Sequence, residues 1–413
     1  MLSLVASGKG KGVDTKIADI FQPARRCGIW PQAQNVHRSA VTKARNKVSW
    51  EAFQSILADV VQLAYEVFPA RDEYRWKGYS IWAIDGSTYT LPATDELRSE
   101  FDPDSGLEFP GKGHYPQCHV STLYEVFRRL PIARTVAPLA KADEREHALH
   151  LLASAPAIKD AITLFDRGYP GSKLLRELST KNRLFLVRCP SANTFPAVVA
   201  FANSKKADGV IEVKVSNTYA ATLPATERAK VKPISLRALR LEHPDGSVSV
   251  LLTNLFAIRK FPYHDIVQLY ARRWAIESQY RDEKTGLGIE QFHSKTSNGI
   301  RQELFAVLAA MVIARTLTAL AVDSESSETP LCVVQPQLKN AVMTFAREVA
   351  LLAPSDPKRA LEIFREMIAE IKRVKYYRLK RTRASQPRVN KSRVNKWKSG
   401  RGAKSTSAGV VMA

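Results

Sequence analysis

At 413 residues the chain is too long for one ordinary domain and predicts two or three, and its 45% hydrophobic and 25% charged residues are enough for packed cores. A net charge of +22 and a pI near 9.9 point to a polyanionic partner, most simply nucleic acid, although a generic basic protein would carry the same excess. Cys27, Cys118, Cys189 and Cys332 lie far apart with no Cys-x-x-Cys pair, which excludes a standard zinc ribbon, gives no hint of a disulfide framework and fits a reducing cytosol.

The N-terminus lacks the apolar core of a signal peptide. A Gly/Lys-rich start (Gly8–Gly12) reads as loose, and Lys16–Asn46 carries Arg25, Arg26, His37, Arg38, Lys43 and Arg45 with few acids. Trp50–Phe68 shows helical periodicity through Phe53, Leu57, Val61 and Ala64. A small helical N-terminal region with a basic side is expected, and DNA contact is a natural hypothesis for it.

Tyr79–Thr90 reads as a buried strand ending at Asp85, with Gly86, Ser87 and Thr88 opening a turn. A carboxylate at a strand edge followed by small residues can approach a metal and a phosphate closely. Asp-Gly is equally a common turn dipeptide. After a Gly/Pro-rich loop (Pro103–Pro116), Cys118–Phe127 and Leu130–Pro138 read as antiparallel strands. Asp143–Ala155 reads as an amphipathic helix whose His147 and His150 are expected at the surface rather than on a metal.

Ala161–Phe165 is short and wholly apolar, as a strand covered on both faces should be, and it delivers Asp166 at its end. Ser172–Thr180 reads as a helix and Arg183–Cys189 as the next strand. Residues 190–250 look like a β-rich insertion, with a hairpin turn at Pro244-Asp245-Gly246 between Ile234–Leu241 and Val248–Leu252.

Leu269–Lys284 contains neither Pro nor Gly and has apolar residues at helical spacing, which predicts one helix of about four turns. At about 100° per residue, Tyr270, Arg273, Glu277 and Lys284 would share a sector of about 60°. Such a face offers a carboxylate to a hard divalent ion, and two cations and a phenol to phosphate oxygens. The competing reading is a solvated face whose Glu and Arg only support the helix.

Asn298–Val322, Gln337–Leu352 and Pro357–Val374 read as helices, and the apolar Leu304–Val322, interrupted by Arg315, is expected to be buried rather than to span a membrane. Lys372–Lys404 holds fourteen Lys or Arg and no acid, with Tyr376, Tyr377 and Trp397 interleaved. Its start is expected to be helical and its end, Lys398–Ala413, disordered. Such a tail suits non-specific phosphate binding, or simply solubility.

The spacing Tyr270-x2-Arg273-x3-Glu277-x6-Lys284 resembles the Y-R-E-K signature of the insertion sequence 4 family of DDE transposases. Asp85-Gly86-Ser87-Thr88 resembles that family's first motif and Asp166-Arg167-Gly168-Tyr169 its second, in the right order. The resemblance spans about residues 75–325. It implies an α/β fold: an RNase H-like mixed sheet flanked by helices, with the core at 76–189 and 256–325 and the β-rich insertion at 190–255. A helical N-terminal region (1–75) and a helical, basic C-terminal region (326–413) would flank it.

The resemblance further implies that Asp85, Asp166 and Glu277 are catalytic and hold two Mg²⁺, for which Mn²⁺ may substitute, while Tyr270, Arg273 and Lys284 bind DNA phosphates. The implied activity is cleavage of double-stranded DNA at terminal inverted repeats and joining of the 3′-hydroxyl to target DNA. A DNA-bound homodimer in the bacterial cytoplasm and no membrane partner are expected. Arg281 and His293 are weaker candidates for DNA contact. Some relatives hold a flipped base with an aromatic residue of the insertion; residues 190–260 contain no Trp, which leaves Tyr219 or Phe256 for that place. A non-catalytic DNA-binding protein and an RNase H-like nuclease are the competing functions, and metal-dependent plasmid nicking and strand transfer separate them.

Overall fold

Ile81–Ile84 and Ile162–Phe165 are almost continuously apolar because they form the middle of a sheet covered on both faces. In the computed structural model, which describes residues 12–34, 36–68, 71–101, 115–155, 160–228, 231–322, 332–352 and 355–379, these runs belong to an eight-stranded mixed sheet. Its strands are β1 (Ser80–Thr90), β2 (Gln117–Glu125), β3 (Leu130–Pro138), β4 (Ala161–Phe165), β5 (Leu184–Pro190), β6 (Asp208–Val213), β7 (Ile234–Glu242) and β8 (Val248–Thr253). Their order across the sheet is β3-β2-β1-β4-β5-β8-β7-β6. The pairs β1–β4 and β4–β5 are parallel; the other pairings are antiparallel. Antiparallel β3-β2-β1 followed by parallel β4 and β5 is the RNase H-like arrangement expected from the sequence.

The segment read as an insertion extends this same sheet, because β8 pairs antiparallel with β5 from Leu186↔Thr253 to Pro190↔Ser249. It also contains short helices, among them Pro196–Asn203. The hairpin turn closes as expected: Gly246 has φ +78°, and His243 and Ser247 pair through their backbones.

Helices α1 (Val13–Arg26), α2 (Arg38–Asn46), α3 (Glu51–Val67), α4 (Glu144–Ser154), α5 (Ser172–Thr180), α6 (Tyr263–Ala271), α7 (Ala275–Arg281), α8 (Ser297–Ala321), α9 (Leu338–Leu352) and α10 (Pro357–Arg373) surround the sheet. α8 is the axle. It is long and apolar enough to cross a membrane, yet 78% of its most apolar stretch is buried, among α3, α9, α10 and β3. Phe53, Leu57, Val61 and Ala64 form the stripe of α3 that meets it. Burying such a Phe, Leu or Val side chain contributes roughly 1.5–3 kcal/mol.

The N-terminal region is tied to α8 by polar contacts as well. Arg45, one of the basic residues noted above, donates to buried Glu303 at 2.9 Å, and buried Lys16 lies 3.1 Å from His293 Nε2. The helical start expected for the basic tail stops at Arg373, after which Lys375–Leu379 pairs as a strand with Cys332–Pro336. The chain up to residue 11, most of the 103–116 loop and the tail from residue 380 lie outside the described residues.

Candidate active site

Asp85 lies within β1, not at its end. Parallel pairing with β4 stops at Ile84↔Phe165, but pairing with β2 continues to Thr90↔Gln117, so Gly86-Ser87-Thr88 is strand rather than turn. Gly86 has no positive φ; its lack of a side chain serves close approach instead. The alternation of a strand puts Asp85, Ser87 and Tyr89 on the face that meets the Glu277 segment. Asp166 does stand at the end of its strand, one residue beyond Phe165, with Arg167-Gly168 turning away.

Leu269–Lys284 differs from the single regular helix expected. The α-helix α6 tightens into a 3₁₀ turn at Arg272–Trp274, resumes as α7, and widens into a π turn at Asp282–Leu287. The π turn has a visible cause, since π-bulges persist where tertiary contacts hold them. Buried Glu283 is drawn into the core, where both its oxygens accept from Arg134 Nη2 at 2.7 and 2.8 Å, and it also accepts from Tyr89 Oη and Gln279 Nε2. Its neighbour Lys284 reaches back to β1, donating to Ser87 Oγ and Thr88 O at 2.6 Å each, with its ammonium 4.5 Å from the Tyr89 ring centre.

The three acids converge on one cation. The Arg273 guanidinium lies 3.3 Å from Glu277 Oε1, 3.7 Å from Asp85 Oδ2 and 3.8 Å from Asp166 Oδ1. Only the Glu277 contact is a hydrogen bond; the others are charge contacts, and the buried Nη1 has no hydrogen-bond partner among the described residues. Tyr270 Oη completes the group, 3.3 Å from Phe165 O and 3.5 Å from Asp166 Oδ1. Of the four residues expected on one face, Tyr270, Arg273 and Glu277 come together here. The structure brings Tyr270 and Arg273 to carboxylates and Lys284 to Ser87.

Burial pushes the Asp85 carboxyl up to about 7, with the Asp166 and Glu277 charges adding to it, while Arg273 and the Gly86 N–H pull it down. Burial also raises the Tyr270 phenol, which is therefore a neutral donor. Burial alone would lower Arg273, but Asp166, Tyr270, Asp85 and Glu277 hold it above its ordinary range.

Arg281 is exposed, and His293 serves the interior, 3.4 Å from buried Glu303. His150 is exposed as expected, but His147 is half-buried and lies 3.0 Å from Ser121 Oγ, which is 3.1 Å from His119 Nε2. Burial and His147 push His119 down to about 4, so this pair is neutral near pH 7. Sequence reasoning missed three features: the Arg134–Glu283 pair, Glu144 beside His119, and Trp274, whose 54% exposed ring follows Arg273 directly. A Trp at an exposed helical position next to the signature was the one local signal available.

Among the described residues no three His, Cys, Asp or Glu side chains enclose an ion as they stand, since the guanidinium occupies the place where the three carboxylates meet. The donor set nonetheless fits a hard divalent ion. It is all oxygen, it gathers three carboxylates around a single cation, and that cation has an unsatisfied Nη1 rather than a closed set of partners.

The transposase DDE domain family matches residues 76–313, which include every residue of this site. The chain is 26% identical over 307 residues to the transposase InsG for insertion sequence element IS4 of Escherichia coli (strain K12); the match covers 72% of this chain and 63% of that relative's length. Among solved structures, it resembles the piggyBac transposase in its synaptic complex with hairpin DNA at a TM-score of 0.36 and 11% identity, over 71% of this chain and 57% of that one, a likeness too slight to carry weight. A family match over more than half the chain, on a sheet of this order with both aspartate motifs and the Y-R-E-K spacing in place, means that the chain belongs to the DDE transposases of the insertion sequence 4 family.

Proposed function

We propose that this protein cuts double-stranded DNA at the ends of an insertion sequence and joins the freed 3′-hydroxyl to target DNA. Asp85, Asp166 and Glu277 would hold two divalent ions, Mg²⁺ or in its place Mn²⁺. Bound there, such ions supply Lewis acidity toward a phosphodiester and a nucleophile at neutral pH. The protein's own side chains bind and orient. Arg273, already beside all three acids, offers a fork that matches phosphate oxygens. Tyr270 donates a neutral hydroxyl at the Asp166 end, and Lys284 places a second cation at the Ser87 end. No side chain is required as a covalent nucleophile: water attacks the phosphorus at the element end and the 3′-oxygen leaves, and the 3′-hydroxyl so freed attacks a target phosphodiester, whose own 3′-oxygen leaves. Trp274 offers an indole face on which a base beside the cut can stack.

What carries the reading is the meeting of three acids from β1, the end of β4 and α7 around one guanidinium, in the order Asp, Asp, Glu. The charge of +22 agrees with a polyanionic partner. Two ends must be held together for joining, and for this we propose a homodimer on DNA. The test is incubation of purified protein with Mg²⁺ and DNA bearing the flanking inverted repeats, followed by mapping of the cuts. Cuts at the repeat ends, absent with Asp85→Asn while DNA binding persists, are expected. Cleavage by Asp85→Asn at the normal rate overturns the assignment.

A further inference from the structure

We infer that Glu144 is a positioning carboxylate of this site, whose charge acts through the Asp85 and Asp166 segments and strengthens uptake of divalent ions. The inference rests on the proposed role of the three acids. It begins from Gly86. A Cβ at Gly86 would overlap Glu144 Oε1 outright and lie 2.6 Å from His119 Cε1 and 2.7 Å from His119 Nε2. Since Gly86 needs no positive φ, its glycine is a window: the carboxylate and imidazole press on the β1 backbone one residue after Asp85, from the face opposite Arg273.

The same carboxylate borders the second aspartate segment. Glu144 Oε2 is 3.7 Å from the place of a Cβ at Gly168, two residues after Asp166. Glu144 is therefore wedged between the two segments that carry the strand-borne acids.

Its position is built rather than incidental. Asp143 caps α4 by accepting from the Arg145 and Glu146 N–H groups, which fixes the first turn. Arg145 Nη2 donates to Gly168 O at 3.3 Å, and Glu146 accepts from Lys173 Nζ at 2.6 Å, so the first turn of α4 is fastened to the turn after Asp166 and to the start of α5. His119, 8% exposed, lies 3.5 Å from the carboxylate and is itself held by Ser121, the residue paired with Gly86. A glutamate needed only for the helix dipole could sit at any position of the first turn without a missing side chain opposite it. Outer groups that orient metal-binding carboxylates contribute on the order of 10–100-fold in ion affinity.

The test is calorimetric titration of the full-length protein with Mn²⁺, without DNA, alongside thermal unfolding. Glu144→Gln keeps the size of the side chain and its contact with His119 but removes the charge. It should lower Mn²⁺ affinity about ten-fold with the melting temperature unchanged. Gly86→Ala, which displaces the carboxylate, should lower affinity similarly, and the double substitution should be no weaker than Gly86→Ala alone. Unchanged Mn²⁺ affinity in Glu144→Gln overturns the inference, as do fully additive losses in the double variant. Asp85→Asn is the control that separates the two levels. If it binds Mn²⁺ like the parent protein, the reading of the three acids fails and takes this inference with it; if it loses binding while Glu144→Gln does not, only Glu144 is misassigned.

Discussion

Two arginine–carboxylate groups occupy the same face of the sheet, where Asp85 and Arg134 both pair with Thr122, and they are built differently. Arg134 and Glu283 are both fully buried, the carboxylate is held at 2.7 and 2.8 Å, and Arg134 also donates to Thr122 Oγ1 and Leu304 O, so its Nε, Nη1 and Nη2 are all satisfied. Arg273 faces three carboxylates at 3.3–3.8 Å, makes one long hydrogen bond and leaves Nη1 without one among the described residues. The first is a finished structural clamp whose geometry has no place for anything more. The second is a set of charges held near one another without being closed, the arrangement expected if, on the proposed role, it admits ions and phosphate. Buried charge alone therefore does not mark function; the distinguishing sign is charge gathered by the fold and left incompletely bonded.

The largest effect should come from breaking the closed pair. Arg134→Ala or Glu283→Ala leaves an uncompensated buried charge and should cost about 3–5 kcal/mol in chemical denaturation. Replacing both with apolar residues of similar size should restore much of that. A loss under about 1 kcal/mol for either single substitution would erase the contrast. Next, Glu277→Gln should lower end cleavage by on the order of 10²–10³-fold or more while leaving the denaturation midpoint unchanged, measured by single-turnover cleavage beside an unfolding curve.

Arg273→Ala separates the regions more finely. Its stability cost should be on the order of 1 kcal/mol, far below that of Arg134→Ala. Binding to transposon-end DNA should weaken, with the salt slope falling by about one. An unchanged slope would place Arg273 away from phosphate. A further effect is pH-dependent. Asp85 titrates near 7 in the folded, ion-free protein against 3.8 for the free side chain, so the fold binds a proton there that the unfolded chain releases. Its contribution to stability is full below about pH 4 and is lost as pH rises through about 7. The difference between the ion-free protein and Asp85→Asn should change across that window and be flat outside it, as thermal unfolding in chelator would show.

The three acids could be picked out because each carries a local sign: an apolar run ending in an aspartate and small residues for Asp85 and Asp166, although those after Asp85 prove to be strand, and a spacing on a helical face for Glu277. What escaped depends on distant partners. The continuation of β1 beyond Asp85 is set by β2, which pairs through Thr90, and no residue between Asp85 and Thr90 announces it. The π turn is imposed by Arg134, 149 residues away in sequence from the Glu283 it binds. His147 was expected at the surface because Ser121 and His119, its neighbours in space, come from β2. The strand Lys375–Leu379 has the composition of a basic tail, and it is formed by pairing with the distant Cys332–Pro336.

That same separation of 149 residues sets an order of events during synthesis. Arg134 emerges from the ribosome long before Glu283 exists, and the axle helix follows later still, so the sheet must wait with a buried-type cation unmatched and one face open. A nascent chain halted between Asp166 and Glu277 holds both aspartates but neither the clamp nor the glutamate. On the proposed roles, cutting ability would arrive late and all at once, which spares the host genome the work of half-made enzyme.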